Sequence, residues 1–284
     1  MPNIKVISVI NMKGGVGKTT LTANLAYALA QFHDKKVLIV DMDPQFNATQ
    51  YFIPQKDYVK YINNPDKRTV LDIFQDRPET APSTVRDRNL RTSQTPINLE
   101  NGIINIYDNE GKLDLIPSTL RLMKIQESER GEEFKLQRFL DKIKGAYDFI
   151  FIDCPPTMSI FTLSAYLASD AYLIPVKPDY LSSIGLPLLE RGIKDYEERF
   201  AKRIKQIGII FTMVDIRTTL MKDTMNTLKS STNRVVFDNY LRHSTKIARA
   251  VKQNKVLFNY SESKPYGKEI INIADEFLDK VRRR

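Results

Sequence analysis

Near the start of the chain, Asn11-Met12-Lys13-Gly14-Gly15-Val16-Gly17-Lys18-Thr19-Thr20 packs three glycines ahead of Lys-Thr. It directly follows an apolar, β-branched run, Val6–Ile10, and directly precedes a helical pattern carried by Leu21, Leu25, Ala28, Leu29 and Phe32. A glycine turn between strand and helix wraps backbone N–H groups around phosphate oxygens, and the helix N-terminus adds favourable potential. Gly14, Gly15 and Gly17 permit close approach, with Val16 inside the same wrap. Lys18 is placed to reach β- and γ-phosphates, and the Thr19 hydroxyl to ligate Mg²⁺. Thr20 lies within reach of an α-phosphate. The pattern G-x-x-x-x-G-K-[ST] is not kept in full, because Met12 stands where its first glycine belongs and a second lysine, Lys13, follows. Lys13 is either a solvated loop lysine or a cation for the γ-phosphate of a nucleotide in a facing subunit, the task of an arginine finger elsewhere.

Three carboxylates end apolar runs. Asp153 follows Phe149–Ile152, the position from which a carboxylate contacts Mg²⁺ beside a phosphate loop. Pro155 and Pro156 argue against a simple helix cap there. Asp41 and Asp43 follow Val37–Val40, and residues two apart on a strand share a face. Asp41 is either near the metal shell or structural. The single cysteine, Cys154, has no basic neighbour and reads as a small buried residue. One cysteine also excludes a disulfide framework, a four-cysteine zinc site and a cysteine-held iron–sulfur cluster within one chain.

The elements that must position these groups are legible. Val6–Ile10, Val37–Val40, Phe149–Ile152, Tyr172–Val176 and Ile207–Phe211 are continuously apolar, as a parallel sheet covered on both faces requires. Helical patterns lie between them, one carried by Leu136, Phe139, Leu140 and Ile143. The expectation is an α/β, doubly wound, mostly parallel sheet with helices on both faces, of P-loop NTPase type. Residues 1–284 read as one domain with a surface insertion within about 51–112, where Arg77–Pro96 is rich in Pro, Thr, Ser and Arg. No 18-residue apolar run and no signal-peptide pattern appear, so a cytoplasmic setting is expected.

The net charge of +9 is unevenly spread. Residues 1–190 are nearly balanced, whereas 191–284 hold about twice as many basic as acidic residues. Lys229, Arg234, Arg242, Lys246, Arg249, Lys252 and Lys255 face one acid, Asp238, between them. Arg242, Lys246 and Arg249 are spaced i, i+4, i+7 with Lys252 continuing the row, one stripe on a helix, while Ile247, Ala250 and Val251 fall on the other side. Such a row is either a solvated face or a surface lying along phosphates without reading bases.

Lys13–Thr20, together with Val40-Asp41-Met42-Asp43-Pro44-Gln45, Leu113-Asp114-Leu115-Ile116-Pro117-Ser118, Tyr147-Asp148 and Asp153-Cys154-Pro155-Pro156, resembles the deviant Walker A ATPases of the ParA/MinD group. The similarity runs in order through Ile174–Leu186 and Gly208–Thr218 and is weakest over 51–112. The D-x-D-P-Q form resembles the ParA branch, partition ATPases that segregate plasmids or chromosomes. The resemblance implies ATP and Mg²⁺ as cofactors and Lys13 and Lys18 in the chemistry. It also implies that Asp43 orients the attacking water. Adenine would lie between Phe211–Asp215 and Pro175–Tyr180, with Met213 and Pro178 offering apolar faces and Asp215 nearby. Met213 also stands where a guanine reader carries lysine, which points to adenine. An ATP-dependent homodimer, non-specific DNA bound in the basic region 229–284, nucleoid association and a centromere-binding, ParB-like partner that stimulates hydrolysis are implied too. The alternative within the group is a MinD-like membrane-cycling ATPase that positions division machinery. Against it, the last helical pattern, Ile270, Ile273, Ala274, Phe277, Leu278 and Val281, has Asp275, Glu276 and Asp279 on its polar face, so no membrane contact is expected. With only a short run before the loop, an operator-reading helix-turn-helix of the longer ParA class is not expected.

Overall fold

The computed structural model describes residues 4–75, 99–125, 131–231 and 234–282. Seven strands form one sheet: β1 (Val6–Val9), β2 (Lys36–Asp41), β3 (Ile104–Asp108), β4 (Lys112–Ile116), β5 (Phe149–Asp153), β6 (Ala171–Val176) and β7 (Lys205–Phe211). Their order is β3-β4-β2-β5-β1-β6-β7, and every pairing is parallel except β3 with β4. The helices are α1 (Lys18–His33), α2 (Asn47–Phe52), α3 (Gln55–Ile62), α4 (Val70–Gln75), α5 (Lys135–Ile143), α6 (Ile160–Ala168), α7 (Ser182–Phe200), α8 (Thr219–Ser230), α9 (Thr245–Lys252) and α10 (Lys264–Arg282). All five expected strands are present in the expected sheet.

The continuous apolarity of the central strands has a direct cause. Alternate residues feed two separate cores, one on each face of the sheet. Val37, Ile39, Phe149 and Phe151 enter the core shared with Leu21, Leu25, Leu29, Ile270 and Phe277. Leu38, Val40, Ile150 and Ile152 enter the other, shared with Leu136, Leu140, Phe161 and Leu163. Helix α1 is buried almost all round, and Ala23, Ala26, Ala28 and Ala30 let it sit close between sheet and α10.

The described residues of 51–112 hold more regular structure than their irregular sequence suggests: the end of α2, then α3, α4, β3 and the hairpin into β4. Arg77–Pro96 lies outside the described residues. Strand β3 escapes a sequence reading because it is an edge strand, half-exposed, antiparallel and bulged between Asn105 and Tyr107. The β3–β4 turn contains Gly111, where an added Cβ would stand 2.1 Å from the Ala30 carbonyl oxygen. Only glycine fits so close to the end of α1.

Helix α10 lies along the sheet as its pattern predicts. Ile270, Ile273, Ala274 and Phe277 are fully buried, and the Phe277 ring lies 5.2 Å from Phe149 and 5.6 Å from Phe151. Among the described residues no helix is long and apolar enough to cross a membrane. Phe277→Ala is expected to cost about 3–5 kcal/mol of stability, read as a lowered urea midpoint with an unchanged slope.

Candidate nucleotide site

Parallel pairing aligns the carboxyl ends of three neighbouring strands. Val9 of β1 is in register with Asp153 of β5, and Asp153 with Asp41 of β2. The glycine loop leaves β1 at this end. Gly15 and Gly17 hold φ of 71° and 81°, left-handed values that glycine adopts without strain, and Gly17 caps α1. Lys18 is therefore the first residue of α1, aimed back across the loop.

Hydrogen bonds limit the cost of burying the site's charged groups. Lys18 is buried, and its Nζ donates to the carbonyl oxygens of Asn11 at 3.0 Å and Lys13 at 3.2 Å. Burial lowers its pKa, although Asp153 draws it back up. Asp153 is fully buried and accepts from the Thr19 hydroxyl at 2.7 Å and the Thr22 hydroxyl at 3.3 Å. Burial pushes its pKa up to about 6, against the Thr19 hydrogen bond and the Lys18 charge. Cys154 is buried, and burial raises its thiol pKa well above the ordinary value, as expected of a packing residue.

Asp41 and Asp43 separate in role. Asp41 accepts from the Thr49 backbone N–H at 2.8 Å and the Thr49 hydroxyl at 2.7 Å on one oxygen, and from the Asp43 N–H at 3.2 Å on the other. Burial, then the neighbouring Asp153, raise its pKa well above the usual range. Its contacts tie α2 to the sheet, and the arrangement favours a structural role over a place in a metal shell. Asp43 accepts from the Gln45 N–H at 2.9 Å and lines a cavity of about 640 Å³. The glycines of the loop, Lys18, Thr19, Thr20, Gln50, Tyr51 and Pro156 share that cavity. Among the described residues no three His, Cys, Asp or Glu gather as a metal cage. The Thr19–Asp153 pair suits Mg²⁺ instead, which commonly takes one or two protein oxygens and completes its shell from phosphates and water.

Several expected residues are placed differently. Lys13 is neither free nor reaching outward. Its Nζ is 2.6 Å from Asp179 Oδ2 and 2.7 Å from Oδ1, with both side chains part-buried. Partial burial works against the Asp179 carboxylate, but hydrogen bonds from Lys13 and Ser182 outweigh it and hold its pKa below the usual range. No spacing rule links residues 13 and 179; the only signal is that β1 and β6 are neighbours, so their ends meet. Met213 packs behind the loop, its Cγ 3.8 Å from where a Gly17 Cβ would be. The cavity wall contains neither Met213, Asp215 nor Pro178. Asp215 is paired with Arg217 at 2.7 Å, whose hydrogen bonds lower its pKa.

Arg242 does not belong to the basic helix. Backbone bonds Leu241 N–H to Phe211 O, Val214 N–H to Leu241 O and His243 N–H to Val214 O hold this segment against the end of β7, and α9 begins only at Thr245 with Ser244 as its cap. Arg242 instead pairs with Glu269 of α10 and lies over the Tyr266 ring. Lys246, Arg249 and Lys252 do lie on α9 and are exposed, while Ile247, Ala250 and Val251 pack inward as their spacing predicts. The end of α9 also reaches the nucleotide cavity, because Val251, Lys252 and Asn254 form part of its wall. The spacing that puts Lys252 in the basic row gives no sign of this.

A glycine phosphate loop at the carboxyl ends of a doubly wound parallel sheet, with a buried lysine and carboxylate beside it, defines a P-loop nucleotide-binding protein. The chain belongs to the AAA_31 family (AAA domain), whose model matches residues 4–206. It is 29% identical over 272 residues to the sporulation initiation inhibitor protein Soj of Bacillus subtilis, covering 96% of this chain and 97% of that one. It is 26% identical over 288 residues to the chromosome partitioning protein ParA of Caulobacter vibrioides, covering 99% and 96%. A Borrelia burgdorferi B31 plasmid partition protein structure with bound AMPPNP superposes with a TM-score of 0.75 at 26% identity, covering 98% of this chain and 99% of that one. The chain is thus an ATPase of the ParA type, as its motifs suggest.

The buried Asp153 carboxylate makes a pH prediction for the ligand-free protein. A carboxyl whose folded pKa, about 6, exceeds its unfolded value contributes stability that is present in acid and lost as pH rises through the folded pKa. The loss amounts to about 3 kcal/mol for a shift of roughly two units. Asp153→Asn removes it, so urea melts should find the variant more stable than the parent at pH 7 and not at pH 4.

Proposed function

We propose that this chain is a partition ATPase. It binds ATP with Mg²⁺, pairs with a second copy, and in that state holds DNA without reading sequence. The observation that carries the reading is the loop with two lysines, one buried against the loop's own carbonyls and one paired with Asp179, in a chain similar over nearly its whole length to partition proteins. Lys18 and the loop N–H groups bind the phosphates, Thr19 and Asp153 hold Mg²⁺, and Asp43 orients the attacking water. Mg²⁺ supplies charge neutralisation between the β- and γ-phosphates. Hydrolysis ends the pairing and releases the DNA, and a ParB-like centromere-binding protein accelerates it. The protein then alternates between cytoplasm and nucleoid.

Lys13 serves this cycle by exchanging partners. In the single chain its charge is satisfied by Asp179; in the pair it meets the γ-phosphate of the opposite nucleotide. Two variants should move in opposite directions by light scattering in ATP·Mg²⁺. Lys13→Ala should bind nucleotide and stay monomeric. Asp179→Asn, which frees Lys13, should pair at lower protein concentration than the parent. An intact Lys13→Ala dimer would remove Lys13 from the interface.

The DNA surface centres on α9, with Arg242 assigned to its ion pair with Glu269. Retention of duplex DNA should require ATP and be absent with ADP or without nucleotide. Reversing Lys246 and Arg249 to Glu should abolish retention while ATP turnover persists. The single variants should each reduce the log–log salt slope by about 0.9. Unchanged retention in the double variant would place the surface elsewhere.

A further inference from the structure

Asn24 is fully buried in α1, little more than one turn after Thr20, and no step above uses it. Two of its three side-chain hydrogen bonds run to other elements. Its Nδ2 donates to the Thr20 carbonyl at 2.8 Å and to the Tyr51 hydroxyl at 2.7 Å, and its Oδ1 accepts from the Leu257 N–H at 2.9 Å. A single amide therefore joins the phosphate-loop helix, α2 and the chain just beyond the basic helix. Asn254 makes a second tie, donating from Nδ2 to the Gln50 carbonyl at 2.5 Å. Gln50 and Tyr51, which receive these bonds, line the nucleotide cavity, as do Lys252 and Asn254 themselves.

The basic helix is thus seated on the cavity rather than merely near it. Its inner face is packed by Ile247, Ala250 and Val251, and the chain just after its last turn is held at Asn254 and Leu257 by two hydrogen-bonding junctions, to α2 and to α1. Lys252 stands at the junction as a cation with no ion pair among the described residues, facing the space that also holds Lys18, Thr19 and Thr20. Phosphate charge entering that space acts on Lys252 directly, and any shift of α2 acts on α9 through Gln50 and Tyr51.

We propose that Asn24 and Asn254 are positioning residues that transmit nucleotide occupancy to α9, with Lys252 as the group on that helix that meets the bound anion. The inference rests on the ATPase reading above and deepens its DNA arm. A buried polar junction of this kind transmits movement because breaking any one of its bonds leaves a donor or acceptor unsatisfied away from water.

Amide hydrogen exchange, with and without saturating AMPPNP·Mg²⁺, tests it without DNA. In the parent protein AMPPNP should slow exchange over 245–257 by about fivefold or more, along with the loop amides at 14–22. In Asn254→Gly the loop amides should still respond, while the ratio over 245–257 should fall below about twofold. Glycine adopts the left-handed φ of 53° at this position freely, so this variant probes the tie without backbone strain. Asn24→Ala should behave alike, and Lys252→Gln should lose part of the ratio. A purely structural role predicts faster exchange in both states with an unchanged ratio, and that result would overturn the inference. So would a parent protein whose loop is protected while 245–257 is indifferent to nucleotide. DNA retention forms a separate arm. If the inference holds, Asn254→Gly retains DNA to the same extent with ADP and AMPPNP. A parent that never retains DNA defeats the DNA reading, and the exchange ratios still decide the coupling.

Discussion

Everything at the functional end of this molecule follows from placing a lysine and a carboxylate together where parallel strands run out of sheet. Lys18 and Asp153 are both withdrawn from water, which disfavours the charged form of each. Hydrogen bonds limit the cost: two carbonyls face Lys18, and two hydroxyls face Asp153. The ligand-free site is therefore electrostatically unfinished. A polyphosphate completes the surroundings of Lys18, and a divalent cation completes those of Asp153. Ligand and metal are favoured jointly, because each relieves the burial penalty of a different partner in one pair.

That constraint also explains which parts of the site can be read from sequence. The loop is local: strand, glycines, Lys-Thr and helix succeed one another, so spacing alone specifies it. Five of the seven strands, β1, β2, β5, β6 and β7, are equally legible, since burial on both faces leaves continuous apolar runs such as Phe149–Ile152. Asp153 is legible because it ends one of them. What fails to show is whatever depends on which strand ends are neighbours. The Lys13–Asp179 pair needs β1 beside β6, and the Asp41–Thr49 bonds need α2 folded back over β2. Asp41 and Asp43 look alike in sequence, yet one is consumed by holding α2 and the other is left on the cavity wall.

The basic third of the chain teaches a different lesson. A helical repeat through Arg242 is numerically sound, but backbone pairing to the end of β7 takes residues 241–243 out of helical conformation before Ser244 starts α9. Tertiary hydrogen bonding overrides periodicity there. Some of the positive charge is also met by acids, from other elements or from the same helix. Arg234 pairs with Glu190, Arg242 with Glu269 and Lys280 with Glu276. Net charge therefore overstates the field available to a polyanion. The exposed cations of α9 matter more, since Lys246 and Lys252 have no ion pair among the described residues and the Arg249–Glu262 pair is solvent-exposed.

Two cations near the phosphate loop thus stand in different states: Lys252 lines the cavity, whereas Lys13 lies outside its wall, next to Gly14. Lys13, at the β6 side, is held at 2.6 Å by a single carboxylate in a part-buried pair. Lys252, at the α9 side, has no ion pair among the described residues and lies where the basic helix meets α2. A phosphate group carrying more than one negative charge competes well against one aspartate for a lysine, and the competition is sharper where water is partly excluded. The same charge attracts Lys252 with nothing to displace. Under the proposed cycle, a nucleotide in the cavity would meet Lys252 first, and Lys13 would leave Asp179 only for a phosphate brought by a second copy. The basic helix would then be set before the loop commits its outer lysine.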